Sequence, residues 1–476
     1  MMEIIYQPHI DRELESLKER IYPPRVCIDN DSCGDCTVVK VDSANKDGVL
    51  LEMVQVLTDL DLIITKSYIS SDGGWFMDVF HVTDELGNKL TDQKFMLYIR
   101  QALCASRRGG ISREVAEKVS TEKTALEMSG TDRPGLLSEL SAVLVELGCM
   151  VTAADAWTHN DRVACIIHVE DALKSGPITD PIRLAHVEEQ LENVVEAHDG
   201  KGERRSVTLT ATPDGAGRSH RERRLHQLMY ADRDYERCGA CECESSGEHD
   251  KGCDGSGTHV SISKCEEKGY WVVNVRSRDR PKLLFDTVCV LTDMHYVVFH
   301  AAIGSKGYMA DQEYFIRHKE SWSSNLETES ERQKLTLCLI AAIERRVSHG
   351  LRIEVCSENR AGLLSDVTRV FRENGLFVSR VEIGTRGEKA VGSFYVKDSS
   401  GQEVNPNIVE FVRKQAGGTI VALRGCSYEM STTSQETSTK TSTSIQQDRP
   451  RFSIGNMLWS QLERFSANFG IGPIRS

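Results

Sequence analysis

A turn that recurs four times constrains the fold of this chain more than any other feature. "SGTDRPGLLSEL" begins at Ser129 and "RSRDRPKLLFDT" begins at Arg276, so the motif D-R-P-x-L-L occurs twice. Two weaker copies read "SENRAGLLSDVTRVF" and "SANKDGVLLEMVQVL". Each copy has an acid or amide, a base, one further residue, a glycine (Lys282 in one copy) and two aliphatic residues. An internal repeat of this kind predicts several copies of one structural unit.

The spacing of the copies predicts how the chain is divided. The second aliphatic residues, Leu50, Leu137, Leu284 and Leu364, are separated by 87, 147 and 80 residues. Two short spacings and one long one predict four modules with an insertion between the second and the third. The predicted segments are an N-terminal extension (1–34), module one (35–110), module two (120–200), an insertion with one helix and a flexible Cys- and Gly-rich loop (201–267), module three (268–349), module four (350–425) and a Ser/Thr-rich disordered tail with an amphipathic end (426–476).

The pattern within module four predicts its fold. "LRIEVCS" is a short strand, and the aliphatic residues after the turn recur at helical spacing. A Gly-containing hairpin, a second helix opening at Asn405-Pro406 and the strand "TIVAL" follow. The resulting order predicts an α+β, ferredoxin-like βαββαβ module with its helices on one face of an antiparallel sheet. The other three copies are expected to follow the same order.

The joints between modules suggest which modules pair. Module four starts at Leu351, directly after the last helix of module three, "LTLCLIAAIERRV". So short a joint leads us to expect modules three and four side by side with paired sheets, and modules one and two likewise. Such pairing would cover exposed strand edges.

Composition excludes several classes of protein. Charged residues make up 27% and hydrophobic residues 39%, a globular composition, and the net charge of −13 argues against a nucleic-acid surface. The longest apolar run, "LCLIAAI", is far shorter than the roughly 20 residues that span a bilayer. No signal peptide is visible at the start, and 15 scattered cysteines favour free thiols. We expect a cytoplasmic or nuclear protein without a transmembrane segment.

Three long stretches of the chain carry a resemblance to a known family: "VDSANKDGVLLEMVQVLTDLDLIITKSYISSDGGWFMDVFHVTD", "HRERRLHQLMYADRDYER" and "VNVRSRDRPKLLFDTVCVLTDM". They resemble the plant ACT-domain repeat family, which has four ACT domains. The resemblance extends over about residues 1–425. The modules are also similar to the ACT pair of the bacterial uridylyltransferase that senses glutamine. The resemblance implies a regulatory or sensor protein that binds a free amino acid, has no catalytic domain and needs no cofactor.

The repeated turn is the expected binding site. A helix N-terminus exposes N–H groups and can receive a carboxylate, and a glycine beside it lets the ligand approach closely. The polar residue of the turn would orient the ligand's ammonium or cap the helix. The candidate ligand-binding residues are Asn45, Gly48, Asp132, Gly135, Asp279, Asn359 and Gly362. In module three Lys282 replaces the glycine, which argues against a family-type site there.

Other interpretations of the chain stay open or are disfavoured. The second hypothesis is a ligand-free interaction scaffold that uses the same sheets for pairing; a regulated protein partner and a homodimer also stay open. An enzyme is disfavoured, because the ACT pattern begins near Thr37 and leaves no room for a catalytic domain before it. The segment "HRERRLHQLMYADRDYER" fits a helix docked on a sheet through Leu225, Leu228 and Met229 better than a nucleic-acid-binding tract.

Two groups of cysteines have spacings that bear on metal or redox chemistry. Cys238, Cys241, Cys243 and Cys253 form one C-x2-C knuckle with irregular partners, which favours a flexible loop over a zinc site, so we expect no bound metal. Cys33-Gly34-Asp35-Cys36 precedes the first strand of module one. Its spacing fits a redox pair, but the lack of a thioredoxin-like βαβ context favours a turn at the strand edge.

Overall fold

Two eight-stranded antiparallel sheets, each shared by two modules, form the body of the protein. The computed structural model describes residues 24–72, 74–107, 123–174, 176–197, 206–212, 218–237, 257–265, 267, 269–319, 325–347, 350–398, 404–415 and 420–425. All of these belong to one compact unit, Met1–Ser427. The predictions for the Cys-rich loop and for the tail lie outside the described residues.

The helices and strands are as follows. Module one contains β1 (Arg25–Asp29), β2 (Thr37–Ala44), α1 (Val49–Asp59), β3 (Ile63–Asp72), β4 (Trp75–Thr83) and α2 (Gln93–Arg107). Module two contains β5 (Lys123–Thr131), α3 (Leu136–Glu146), β6 (Cys149–His159), β7 (Arg162–Asp171), α4 (Pro181–Glu196) and β8 (Ser206–Thr212). The insertion contributes α5 (Arg218–Ala231) and a 3₁₀ turn, Asp234–Arg237.

The second half of the chain repeats the scheme. Module three contains β9 (His259–Cys265), β10 (Tyr270–Arg278), α6 (Leu283–Asp293), β11 (Tyr296–Lys306), β12 (Met309–His318), a 3₁₀ turn (Asn325–Glu327) and α7 (Glu329–Glu344). Module four contains β13 (Leu351–Glu358), α8 (Leu363–Glu373), β14 (Leu376–Arg386), β15 (Lys389–Asp398), α9 (Pro406–Gln415) and β16 (Ile420–Gly425).

The predicted fold class, α+β with ferredoxin-like ACT modules, is confirmed, but one detail of the strand order is not. Modules two and four follow the order βαββαβ and end on their outer strands, β8 and β16. In modules one and three the outer strand, β1 or β9, is instead the first element of the module. The expectation of one order for all four copies was therefore wrong for modules one and three. The outer position needs only an antiparallel neighbour, and a hairpin from the N-terminal side supplies it equally well.

The expected pairing of modules was also wrong. The sheet orders are β1-β2-β4-β3-β11-β12-β10-β9 and β16-β13-β15-β14-β6-β7-β5-β8, so module one pairs with module three and module two with module four. The joining strands are antiparallel, with Ile69 opposite Ala301 in one sheet and Ala156 opposite Val381 in the other. Module three ends on helix α7 and not on an edge strand, so its short joint leaves from the helical layer. A short joint from that layer can lead into a different sheet.

The first helices of paired modules pack on each other over the core. In the module two–four pair, Ser141 of α3 and Thr368 of α8 meet with their hydroxyl oxygens 3.1 Å apart. In α8 the buried residues recur at the spacing of one helix face. The modules of each pair contribute to one shared hydrophobic cluster, so the pair is the unit that buries the apolar surface.

Helix α5 of the insertion lies between the two pairs. Its residues Leu225, Leu228 and Met229 pack against Trp157 and Ile166 of the module two sheet, which confirms the predicted docking on a sheet. All four of its arginines form ion pairs, Arg218 with Glu382, Arg221 with Asp155, Arg223 with Asp293 and Arg224 with Glu127. The basic residues of this helix are therefore used within the fold.

Among the helices that the structure describes, none combines the length and the apolar character needed to cross a membrane.

Candidate functional site

The four copies of the turn share one backbone geometry. In each, the residue just before the helix has a left-handed backbone, where glycine is favoured and other residues are strained. The φ angles are 79° at Gly48, 80° at Gly135, 66° at Lys282 and 84° at Gly362. The polar residue of each turn donates its backbone N–H to the hairpin that follows, Asn45 to Gly74, Asp132 to Asp161, Asp279 to Tyr308 and Asn359 to Glu388.

The base of the turn has the same partner in all four copies. It forms an ion pair with an acidic residue in the first turn of the helix, six residues later. The pairs are Lys46–Glu52 (3.1 Å), Arg133–Glu139 (2.6 Å), Arg280–Asp286 (2.7 Å) and Arg360–Asp366 (2.6 Å). The repeated base therefore fastens the turn to its helix. The six-residue spacing of base and acid is visible in the sequence, but the prediction of the site did not use it.

The predicted capping role of the polar residue is not observed. The position before each helix is the left-handed residue, and no side chain forms a cap hydrogen bond there. Asn45 instead donates its side-chain N–H to Ser71 Oγ over 2.5 Å, and Asn359 donates to Thr385 Oγ1 over 3.3 Å. These amides bind the strand after the helix, because the left-handed residue turns the chain away from a capping geometry.

The turn of module two opens onto a cleft between modules two and four. Asp132, Arg133 and Gly135 form one side, and Arg372 with residues 376–380 of module four forms the other. Apolar side chains line the interior, among them Met128, Leu140, Ala156, Val163 and Cys165. The cleft contains about 700 Å³ of empty space, counting the part open to solvent. It combines an apolar interior with a few polar groups, which is the usual character of a small-molecule site.

Asp132 contributes a carboxyl group to the lining of this cleft. Burial, with a smaller contribution from the nearby Asp161, raises the pKa of its carboxyl to about 7. The backbone N–H of Arg133, the hydroxyl of Thr158 and the charge of Lys397 act in the opposite direction. An acid with its pKa near neutrality inside a cleft is characteristic of functional sites.

Arg372 lies opposite the turn, at the end of α8. Its side chain covers Gly135 so closely that a Cβ there would lie 2.7 Å from Arg372 Cδ. Within the described part of the chain, no carboxylate pairs with the Arg372 guanidinium. Leu137 and Ser138, in the first turn of α3, also line the cleft. Their N–H groups belong to the helix terminus that lacks partners within the helix. Together these groups form a positive site in the same cleft as the Asp132 carboxyl.

The turn of module three is filled by the chain itself. Lys282 donates to Glu222 of α5 over 2.6 Å, and Arg346 binds the second oxygen of Glu222 over 2.8 Å. Burial alone would raise the pKa of Glu222, but the charges of Arg346 and Lys282 lower it to about 2. Asp286 of α6 is also buried and binds Arg280 and Arg346. Glu222 thus brings a fixed carboxylate to the turn of this module.

The predicted site residues are not brought together as one site. Of the seven, only Asp132 and Gly135 line the cleft. Gly48 is exposed, and a Cβ added there would have no atom within 4 Å, whereas a Cβ at Gly362 would lie 3.8 Å from Val145. Asp279 lies in the turn that α5 fills.

Arg372 is the residue that was not predicted from the sequence. It stands ten residues after Gly362, where the other three copies have Thr58, Val145 and Thr292. A single charge among four equivalent positions was a visible signal. This charge points to the cleft only if module two pairs with module four. The short joints had suggested a different pairing.

Among the described residues, no group of three or more His, Cys, Asp or Glu side chains is placed to hold a metal ion.

Comparisons with known proteins point to one family. Residues 32–110 match the profile described as "ACR family N-terminal ACT domain". The chain is 54% identical to "ACT domain-containing protein ACR1" of Arabidopsis thaliana over 98% of this chain and 99% of that protein. It is 51% identical to "ACT domain-containing protein ACR3" of the same plant over 87% of this chain and 90% of that protein. These names specify ACT domains and no catalytic domain.

A partial similarity connects the chain to a bacterial enzyme. The "Bifunctional uridylyltransferase/uridylyl-removing enzyme" of Azospirillum brasilense is 38% identical over 81 residues, which are 17% of this chain and 9% of that protein. The similarity is therefore confined to a region about the size of one module.

Proposed function

The chain belongs to the ACR family of ACT-domain repeat proteins, and we propose that it is a non-catalytic sensor that binds a free amino acid between modules two and four. ACT domains generally bind amino acids in regulation. The observation that carries the proposal is the cleft at the turn of module two, with the Asp132 carboxyl on one side and, on the other, the Arg372 guanidinium, which pairs with no carboxylate of the described residues. Such a pair of groups matches the two charges of a free amino acid.

The roles in the cleft follow from charge. The ionised Asp132 carboxylate would accept hydrogen bonds from the ligand's ammonium. Arg372 and the first N–H groups of α3 would bind its carboxylate. The apolar residues of the interior would receive its side chain, which favours an amino acid with an aliphatic or small uncharged side chain. We also propose that the protein works in the cytoplasm or nucleus on a regulated protein partner.

The protonation of Asp132 leads us to expect that ligand affinity depends on pH. An ammonium needs the carboxylate ionised, and the pKa of Asp132 in the free protein is about 7. Binding therefore releases a proton below that pH. We expect the affinity to fall by up to about tenfold for each unit of pH below neutrality, as for one linked proton.

Calorimetric titration and thermal unfolding of the full chain with a panel of free amino acids test the proposal. A ligand at about 100 times its Kd should stabilise the protein by about 2.7 kcal/mol. Asp132→Asn should weaken binding by about 1.5–3 kcal/mol, as expected for loss of a charged hydrogen-bonding partner. The matched control is Asp279→Asn, which changes the same position in the filled turn and should leave the affinity unchanged.

Two results would count against this function. If no amino acid at millimolar concentration changes the unfolding temperature, the ligand-free scaffold is the better description. If an amino acid binds equally well to wild type, Asp132→Asn and Arg372→Met, the protein is a sensor whose site lies elsewhere.

A further inference from the structure

Two cysteine sulfurs meet in the loop that joins β1 to β2, far in sequence from the cleft. Cys33 and Cys36 are both free thiols, and their Sγ atoms lie 3.1 Å apart, with the Cys36 thiol directed at the Cys33 sulfur. Cys33 is half-buried, whereas Cys36 is only 6% exposed. The sequence context favours a plain strand-edge turn here, but the geometry brings the sulfurs together.

The two thiols differ in the way that thiol–disulfide exchange requires. A hydrogen bond from the Cys36 thiol, helped by the backbone N–H groups of Asp35 and Cys36, lowers the pKa of Cys33. Burial, together with the neighbouring Cys33, raises the pKa of Cys36 to about 11. The accessible sulfur is therefore the better nucleophile at neutral pH, and the buried sulfur is kept as a thiol behind it.

The loop around the cysteines is held in place by hydrogen bonds. Asn30 donates to the Leu90 carbonyl over 2.7 Å, and Thr37 donates to Asn30 Oδ1 over 2.6 Å. Lys89 donates to the carbonyl of Cys33 itself over 2.5 Å. Both ends of the loop are thus fixed against the segment that leads into α2. This keeps the sulfurs close without a covalent bond.

We propose that Cys33 and Cys36 form a redox-active dithiol that exchanges with the disulfides of small thiols. The Cys33 thiolate attacks one sulfur of an RS–SR disulfide, whose S–S bond breaks and releases RS⁻ as the Cys33–SR bond forms. Cys36 then loses its proton to solvent, and its sulfur attacks the Cys33 sulfur. The Cys33–Cys36 bond forms and the second RS⁻ leaves. Two protein thiols are oxidised, one small disulfide is reduced to two thiols, and excess small thiol reverses both steps.

Equilibration of the full chain in mixtures of reduced and oxidised glutathione tests the proposal. After alkylation of the remaining thiols, trypsin releases the peptide 26–40, which holds both cysteines together with Cys27. A Cys27→Ser background removes this third thiol from the peptide. The peptide should lose two hydrogens as the mixture becomes oxidising and regain them as it becomes reducing. In the reduced protein, iodoacetamide should modify Cys33 about 10-fold faster than Cys36.

Single substitutions separate the two roles. Cys36→Ser should trap glutathione on Cys33, because the resolving sulfur is gone, whereas Cys33→Ser should leave Cys36 as a thiol. A dithiol that survives a large excess of oxidised glutathione in the Cys27→Ser protein would overturn the proposal, with no need for either variant. Equal glutathione uptake by the two variants would overturn the assigned roles of attacking and resolving sulfur.

Discussion

The turns of modules two and three share the motif D-R-P-x-L-L and the same left-handed backbone, yet they have opposite surroundings. In module two, Gly135 and Asp132 border a cleft whose far side carries Arg372. In module three, Lys282 meets Glu222, a carboxylate that α5 supplies from within the chain. The motif therefore determines the path of the backbone, whereas the element packed against the turn determines whether a ligand can enter.

The residue at the left-handed position reflects that difference. A non-glycine residue in this conformation is strained by roughly 1–2 kcal/mol. Lys282 adopts this strained conformation, and its ammonium binds the Glu222 carboxylate, which is 2% exposed. Gly135 has a second reason to be glycine, since a Cβ there would lie 2.7 Å from Arg372 Cδ and the arginine side chain would have to shift. Lys282, which replaces the glycine of the turn in module three, is thus part of an ion-pair network with Glu222 and Arg346.

The largest expected effect comes from removing the base of the turn where its ion pair is buried, and the same change at an exposed pair serves for comparison. Arg280 is 13% exposed and binds the fully buried Asp286, and it also donates to the Ile343 carbonyl. Arg280→Ala should lower the free energy of unfolding by about 3 kcal/mol, the low end for loss of one partner of a buried charge pair, because Asp286 keeps Arg346 as a second partner. The control is Arg360→Ala, at the equivalent position of module four, whose pair is 55% and 41% exposed. It should cost less than about 1 kcal/mol. Urea unfolding measures both, and equal losses would contradict the difference in burial.

A smaller effect, with an informative sign, is expected from Lys282→Gly. Glycine suits the observed φ of 66°, so relief of strain alone would stabilise the protein by about 1 kcal/mol. The change also removes the ammonium from Glu222, whose low pKa depends on Arg346 and Lys282. We expect the second effect to exceed the first and the variant to be less stable by about 2 kcal/mol. A more stable variant in urea unfolding would mean that the lysine has no structural role at Glu222.

The parts of the structure that local sequence encodes were predicted well. The repeat, the βαββαβ character of the modules and the docking face of α5 follow from periodicity and turn residues, which act over a few residues. Pairing of modules does not follow, because β3 joins β11 and β6 joins β14 through contacts between residues far apart in the chain. The outer strands β1 and β9 were missed because an outer strand can come from either side of its module.

The candidate site was predicted in part for the same reason. Asp132 and Gly135 belong to the turn and could be named from the sequence alone. Arg372 comes from another module, and the raised pKa of Asp132 comes from its burial in the folded protein. The filling of the third turn depends on Glu222, which lies 60 residues before Lys282 in the insertion. No local pattern relates either pair of residues.

The smallest expected effect is a change in the pH dependence of stability, which reports the protonation of Asp132 in the turn of module two. The pKa of Asp132 is raised in the folded protein to about 7, from an ordinary value of 3.8. Between these values the folded state keeps a proton that the unfolded state has lost, so this residue makes stability fall as the pH rises towards 7. Asp132→Asn removes the titration. After allowance for partial solvent exposure, its stability relative to wild type should improve by about 1 kcal/mol from pH of about 5 to about 8. Asp279→Asn in the filled turn serves as the control, and urea unfolding across this range gives both differences. A gain in Asp279→Asn equal to that in Asp132→Asn would show that the two turns hold their acids alike and that the cleft does not perturb Asp132.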